Sequence, residues 1–149
     1  MIVRKVTVED LQREPNLAQL LAGYAEEAKI SELPEHHPNW VSYENMERLG
    51  ILHIFGAYAS NELVGFISIL STVVPHYAER VATTESFYVD PAHRKGGTGR
   101  KLMEAAEDCA KGTGAVALFV SAPYRGRLES VLPSFGFRRT NSVFYRSLT

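Results

Sequence analysis

Apolar residues recur along this chain at two periods, and the places where one period gives way to the other divide it into elements. Ile2 to Thr7 alternates about a β-branched core and predicts a first strand. Thr7-Val8-Glu9-Asp10 then resembles a capping box, a helix-start signal, with Pro15 interrupting the segment after it. Leu17, Leu20, Leu21, Tyr24, Ala25 and Ala28 keep helical spacing, which predicts a helix from Leu17 to Ile30. The polar stretch SELPEHHPN separates it from a second helix running from about Trp40 to Leu49. Two strands, ILHIFGAYA and ELVGFISIL, meet at Ser60-Asn61, the clearest hairpin signal in the chain. A looser segment, STVVPHYAER, leads to a fourth strand, TESFYVD.

A glycine-rich stretch opens a third helix with Leu102, Met103, Ala106, Cys109 and Ala110 on one face; Gly112 and Gly114 end it. AVALFVS reads as a fifth, buried strand, and a last helix from Leu128 to Phe135 stops at Gly136. Two short strands around FRR and VFYRSL complete the pattern. The order is β-α-α-β-β-β-α-β-α-β-β, a mixed α/β or α+β sheet with helices packed on it. Strand, helix and strand between Val89 and Ser121 imply a right-handed parallel crossover, so function is expected at the carboxyl end of the fourth strand.

Composition adds bounds. A chain of 149 residues reads as a single domain over 1–149, long enough to bury about 70% of its unfolded surface. The net charge of −1 offers no global basic field for nucleic acid or an anionic membrane, so neither is expected as a direct partner. One cysteine, Cys109, excludes an internal disulfide and fits a reducing cytoplasm. Arg4 and Lys5 lack the apolar stretch of a secretory signal behind them, and no stretch approaches the ~18 apolar residues of a membrane span.

The stretch "YVDPAHRKGGTGRKLMEAAEDCA" carries the chemistry. A helix N-terminus presents backbone N–H groups without intrahelical partners and the positive end of the helix dipole. Glycines just before it let a ligand approach with no Cβ in the way, and Arg94, Lys95, Arg100 and Lys101 add charge, a combination suited to phosphate. The plain alternative is a glycine-rich turn with a solvated basic rim. The spacing fits neither a P-loop, which needs Lys-Ser/Thr after its last Gly, nor a dinucleotide fingerprint, which would need Gly where Leu102 stands.

What remains is Arg94-x-x-Gly97-x-Gly99, directly after Val89-Asp90-Pro91 and heading a helix. This resembles the coenzyme A signature Gln/Arg-x-x-Gly-x-Gly/Ala of the GNAT superfamily of N-acetyltransferases. The element order, the VDP strand end, AVALFVS and the Gly-Phe of "SFGFRR" agree with it across residues 2–148. The resemblance implies a mixed, mostly antiparallel sheet of about six to seven strands with one parallel crossover, flanked by about four helices. It implies acetyl-CoA as cosubstrate, no metal, and an amine of a small molecule or protein as acceptor; a homodimer is compatible with it. Carried over residue by residue, Arg94, Lys95, Gly96, Gly97, Thr98, Gly99 and Arg100 would hold the pyrophosphate, mainly through backbone N–H groups. Phe87, Tyr88 and Val89 would pair, sheet-like, with the pantetheine arm, the Val89 N–H pointing at the thioester carbonyl.

An amine of ordinary pKa must lose a proton before it attacks. Glu85 is the candidate base: it lies four residues before Val89, so a two-residue strand period puts both side chains on one face, and many superfamily members have a Glu there. The alternative is a charged residue at the mouth of a strand. The usual acid, a Tyr four residues before the Gly of Gly-Phe, is here Leu132, and Pro133 disfavours helical geometry at that position. Tyr124 is the candidate substitute, with Ser130 and Ser134 also near in sequence.

The superfamily's acceptor pocket maps here onto Glu32, Glu35, His36, His37 and Trp40, then His76, Tyr77 and Glu79. Of these, Glu32, His36, Trp40 and Tyr77 are the candidate substrate contacts, since carboxylates beside aromatics suit a cationic amine. Solvated loops with a Trp anchoring the second helix are the competing reading. Adjacent His36 and His37 lack the Cys/His cluster of a metal site, and Cys109 belongs to the apolar face of its helix. An acyl-CoA-binding regulatory domain of the same fold without turnover, and a phosphate- or nucleotide-binding protein of unrelated fold, are the rival functions.

Overall fold

A computed structural model of the chain describes residues 1–30, 33 and 36–149. Five strands, β1 (Ile2–Val6), β2 (Leu52–Ala59), β3 (Glu62–Val74), β4 (Glu79–Val89) and β5 (Leu118–Phe119), form one sheet in sequential order. The first three junctions are antiparallel and β4–β5 is parallel. Five helices pack around it: α1 (Val8–Gln12), α2 (Leu17–Ala28), α3 (Trp40–Arg48), α4 (Thr98–Gly112) and α5 (Arg127–Val131).

Local signals account for much of this. The capping box at Thr7 is formed reciprocally with Asp10 and starts α1, which stops before Pro15. Ser60 and Asn61 both take positive φ, 51° and 65°, the geometry of the tightest hairpin turn. The segment expected to be loose between the third and fourth strands is instead ladder: β3 runs on to Val74 and β4 starts at Glu79. Cross-strand pairing along the long hairpin overrides the weak local pattern.

Two expectations are corrected. The sheet has five strands where six to seven were expected, because residues 137–149 form none. There Val143, Phe144 and Leu148 are over nine-tenths exposed. The fifth strand is also shorter than AVALFVS implies, and a two-residue ladder is too short an edge to template further pairing. Pro133 does cut the last helix short: α5 ends at Val131 and a 3₁₀ turn, Leu132–Phe135, takes over. Leu132 itself stays right-handed helical at φ −56°, ψ −39°, which the tighter turn tolerates.

The sheet separates two apolar clusters. On one face Leu20, Leu52, Ile54, Leu63, Phe66 and Tyr88 pack with α1, α2 and α3. On the other, Ile67, Ile69, Val89, Leu102, Met103 and Ala106 pack around α4. β4 contributes to both faces, and the end of β4 meets the candidate site.

Candidate active site

Beyond β4 the chain makes a 3₁₀ turn, Pro91–His93, capped by the Asp90 carboxylate accepting from Ala92 N at 2.8 Å, and then enters the glycines. Gly96 and Gly97 take φ of +98° and +87°, a left-handed region that L side chains rarely adopt, and a Cβ at either would meet open space. The space is therefore reserved by backbone conformation, not by packing. Gly97 is the N-cap of α4 and supplies no side-chain acceptor. Among the described residues, nothing accepts from the N–H groups of Lys95 through Arg100; the first helical bond here is Lys101 N to Gly97 O at 3.0 Å. A fifteen-residue helix thus points uncapped amides toward open, exposed space, an arrangement suited to a pyrophosphate.

The signature arginine has another task. Arg94 Nε donates to Val89 O at 2.8 Å, its guanidinium also bonds the Glu27 carboxylate of α2, and it lies 5.5 Å from the Tyr88 ring centroid. It clamps the loop to β4 and α2, so in this conformation its charge is spent internally. Thr98 is buried beneath the loop, while Lys95 and Arg100 are exposed; the Arg100 guanidinium lies over the Phe135 ring at 4.6 Å.

The edge of β4 leading into this loop is open. β5 pairs with β4 only at Ala82–Leu118 and Thr83–Phe119, and the last link is Ser121 N donating to the Thr84 hydroxyl at 3.1 Å. From Glu85 to Val89 no strand covers that side. Asp90 N donates to Val64 O, so antiparallel alternation turns the Val89 N–H and C=O away from β3, toward the open edge. Arg94 takes the carbonyl and leaves the N–H free. The side chains here are not part of that edge: Tyr88 is buried against α2, where Gly23 admits its ring, and Phe87 and Val89 pack on the α4 side.

Glu85 occupies a place that strand periodicity does not predict. The β3–β4 register pairs Ser68 with Ser86 but Ile69 with Thr84, so Glu85 is the extra residue of a β-bulge. A regular strand would put Glu85 beside Phe87 and Val89 on the α4 face. The bulge turns it to the opposite face, so the expectation that Glu85 and Val89 share a face is corrected. There its carboxylate is held at both oxygens: Tyr43 O–H donates to Oε1 at 2.6 Å and Ser68 O–H to Oε2 at 2.8 Å. Ser68 has one proton, already given to Glu85, so Ser86 is the donor in the 2.7 Å Ser68–Ser86 bond. Burial, and then the carboxylate beside it, push the Tyr43 phenol above its ordinary range, so Tyr43 remains a donor at neutral pH.

Glu85, Ser68, Ser86 and Tyr43 line a partly open cavity of about 50 Å³ under α2 and α3, walled otherwise by apolar groups including Leu21, Trp40 and Phe66. Of the predicted acceptor contacts, Trp40 therefore reaches Glu85's cavity, as the first residue of α3 with its ring 5.7 Å from Tyr43. His36 stands at the α2 side with its ring 5.7 Å from Tyr24. Tyr77 does not join them: it sits at the tip of the β3–β4 hairpin, exposed, its ring tilted against that of His76. Glu32 and Glu35 lie outside the described residues. Tyr124 is 80% exposed beside Arg125, and no bond ties it to Glu85. Leu132, in the position of the usual acid, is buried on the α4 face. Among the described residues no cluster of three or more potential metal ligands forms.

Sequence reasoning missed Tyr43, Ser68 and Ser86. The available signals were small ones: Tyr43 shares a helical face with Trp40 at i, i+3, and Ser68 interrupts an otherwise apolar strand, whereas Ser86 follows polar neighbours and carries no signal of its own.

With this geometry in view, the chain was compared with known proteins. The model of the Acetyltransferase (GNAT) family matches residues 15–137. A ribosomal-protein-alanine N-acetyltransferase from Brucella melitensis biovar Abortus 2308 superimposes with TM-score 0.72 at 20% identity, over 100% of both chains. An aminoglycoside acetyltransferase from an uncultured soil metagenomic sample, in complex with trehalose, gives 0.73 at 18% identity over 99% of this chain and 96% of that one. A transcriptional regulator from Bacillus halodurans C-125 gives 0.76 at 21% identity over 99% of each. No curated protein matches the sequence. At these identities the structural likenesses speak for the fold, and the family match extends over most of the chain from α2 to the last 3₁₀ turn: this protein belongs to the acetyltransferase (GNAT) family.

Proposed function

We propose that the protein transfers an acetyl group from acetyl-CoA to a primary amine of a small molecule or protein, by direct attack within a ternary complex. The observation that carries this is the arrangement along β4: a doubly anchored carboxylate at Glu85, a free N–H at Val89, and then the uncapped amides of Lys95 to Arg100. Acetyl-CoA, when bound, supplies an acetyl group activated as a thioester, whose transfer leaves coenzyme A as the free thiol.

The glycine loop fits the diphosphate of that cosubstrate, because Gly96 and Gly97 keep Cβ-free space beside unpaired donors. Val89 N–H is the donor available to a carbonyl laid along the open edge, a preorganised contribution commonly worth about 3–4 kcal/mol. Glu85 accepts the proton of the incoming ammonium; Tyr43 and Ser68 fix the carboxylate in one orientation. A thiol of pKa near 8.5 leaves tolerably unaided. Tyr124, at the end of the segment that diverges from β4, is the hydroxyl to test as an acid: a tenfold loss in Tyr124→Phe supports that role, and unchanged turnover removes Tyr124 from it.

Mixing acetyl-CoA with a panel of amines and following thiol release tests the proposal; release that requires amine supports it. The second reading is a coenzyme A-binding regulatory domain without turnover. Leu132 at the usual acid position favours it, as does the fold shared with a transcriptional regulator. That reading predicts protection of the fold by coenzyme A and no thiol from any amine.

A further inference from the structure

We infer that the acceptor is a monoamine carrying an aromatic or branched apolar group, and not a polyamine or aminoglycoside. This rests on the transfer reading above and names the substrate class of its site. Among the described residues, the cavity in front of Glu85 presents one carboxylate, three hydroxyls already bonded to it or to one another, and walls of Leu17, Leu21, Pro38, Trp40, Ile54 and Phe66.

Each part of that wall argues the same way. Glu85 can pair with one ammonium. A second cation drawn in beside the first would be desolvated against hydrocarbon with no partner among the described lining residues, a cost that grows with each added charge. The Trp40 and Tyr43 rings, 5.7 Å apart at 46°, sit beside the carboxylate, so an ammonium there has charge pairing and ring faces together while its carbon substituent meets Leu21 and Phe66. Burying even ~60 Å² of that substituent at ~25 cal/mol per Å² is worth about tenfold in affinity. A polyamine backbone, interrupted by charge, forgoes most of that gain.

Trp40 is the single tryptophan of the chain, so its fluorescence reports occupancy of this cavity directly. The experiment titrates the coenzyme A-loaded full-length protein with 2-phenylethylamine, spermidine and sisomicin, and measures thiol release from acetyl-CoA with the same three amines. Phenylethylamine is expected to change Trp40 emission with at least tenfold lower Kd than spermidine or sisomicin, to lose about tenfold in Glu85→Gln, and to give the highest kcat/KM. Leu21→Asp, which adds a second carboxylate to the wall, should narrow the gap toward spermidine. Equal or tighter binding of spermidine or sisomicin by the unaltered protein overturns the inference while leaving acetyl transfer standing. Phenylethylamine binding at the expected preference with no thiol from any amine does the reverse: the cavity's selectivity holds and turnover is refuted.

Discussion

Glu85, on β4, and the glycine loop just beyond that strand lie about ten residues apart and belong to sites built on opposite principles. The loop is a backbone site. Its donors are main-chain amides, its room comes from two left-handed glycines, and everything it needs is contiguous from Arg94 to Arg100. The cavity is a side-chain site assembled from six elements: Leu11 from α1, Leu21 from α2, Tyr43 from α3, Ile54 from β2, Ser68 from β3 and Glu85 from a bulge in β4. A contiguous backbone site specifies a ligand part common to many reactions. On the proposed function, the assembled one is the part that selects the acceptor.

The sharpest way to break this contrast is at the loop. Gly97→Val forces a β-branched residue to φ near +87° and points a side chain at the amides. Losing about two charge-assisted contacts of ~1.5 kcal/mol each should weaken coenzyme A binding roughly hundredfold, read by calorimetry; the melting temperature should fall as well, because the left-handed φ strains a β-branched residue even though the added atoms meet open space. Next comes Glu85→Gln. It should lower kcat/KM at neutral pH by about 10²-fold and recover partly as pH rises, because a larger share of the amine is then already deprotonated. Coenzyme A affinity should stay within about twofold, since no Glu85 atom faces the loop. A parallel loss of coenzyme A binding would show that the two regions are not separate.

Smaller effects refine the cavity. Tyr43→Phe removes one of the two donors on Glu85 and should cost about fivefold to tenfold in kcat, about 1 kcal/mol, with KM for acetyl-CoA unchanged. The smallest effect is in stability against pH. Tyr43 has a raised pKa in the folded protein, so the stability it contributes is complete below its unfolded value of about 10 and is lost as pH rises above that. Denaturant midpoints should therefore fall more steeply above pH 10 for the unaltered protein than for Tyr43→Phe.

The same division explains what could be read in advance. The loop was legible because glycine spacing, the preceding strand and the following helix are all local. So were the hairpin at Ser60-Asn61 and the cap at Thr7, where side-chain chemistry acts over three or four residues. The orientation of Glu85 was not, because a bulge shifts register by one residue without a local signature, and one residue is enough to exchange the faces of a strand. Tyr43, 42 positions away from Glu85, reaches it only once α3 is laid on the sheet. The predicted C-terminal strands show the converse: the β-branched and aromatic run Val143-Phe144-Tyr145 says that a segment suits a ladder and cannot supply the partner.

The most direct test is a backbone-amide NMR titration of the full-length protein with coenzyme A. The account predicts saturable shifts in the amide signals of Gly96, Gly97, Thr98 and Gly99, and of Val89 when the acetylated form is used. Amides that stay unmoved at saturating coenzyme A, with any shifts falling elsewhere in the sheet, would contradict it.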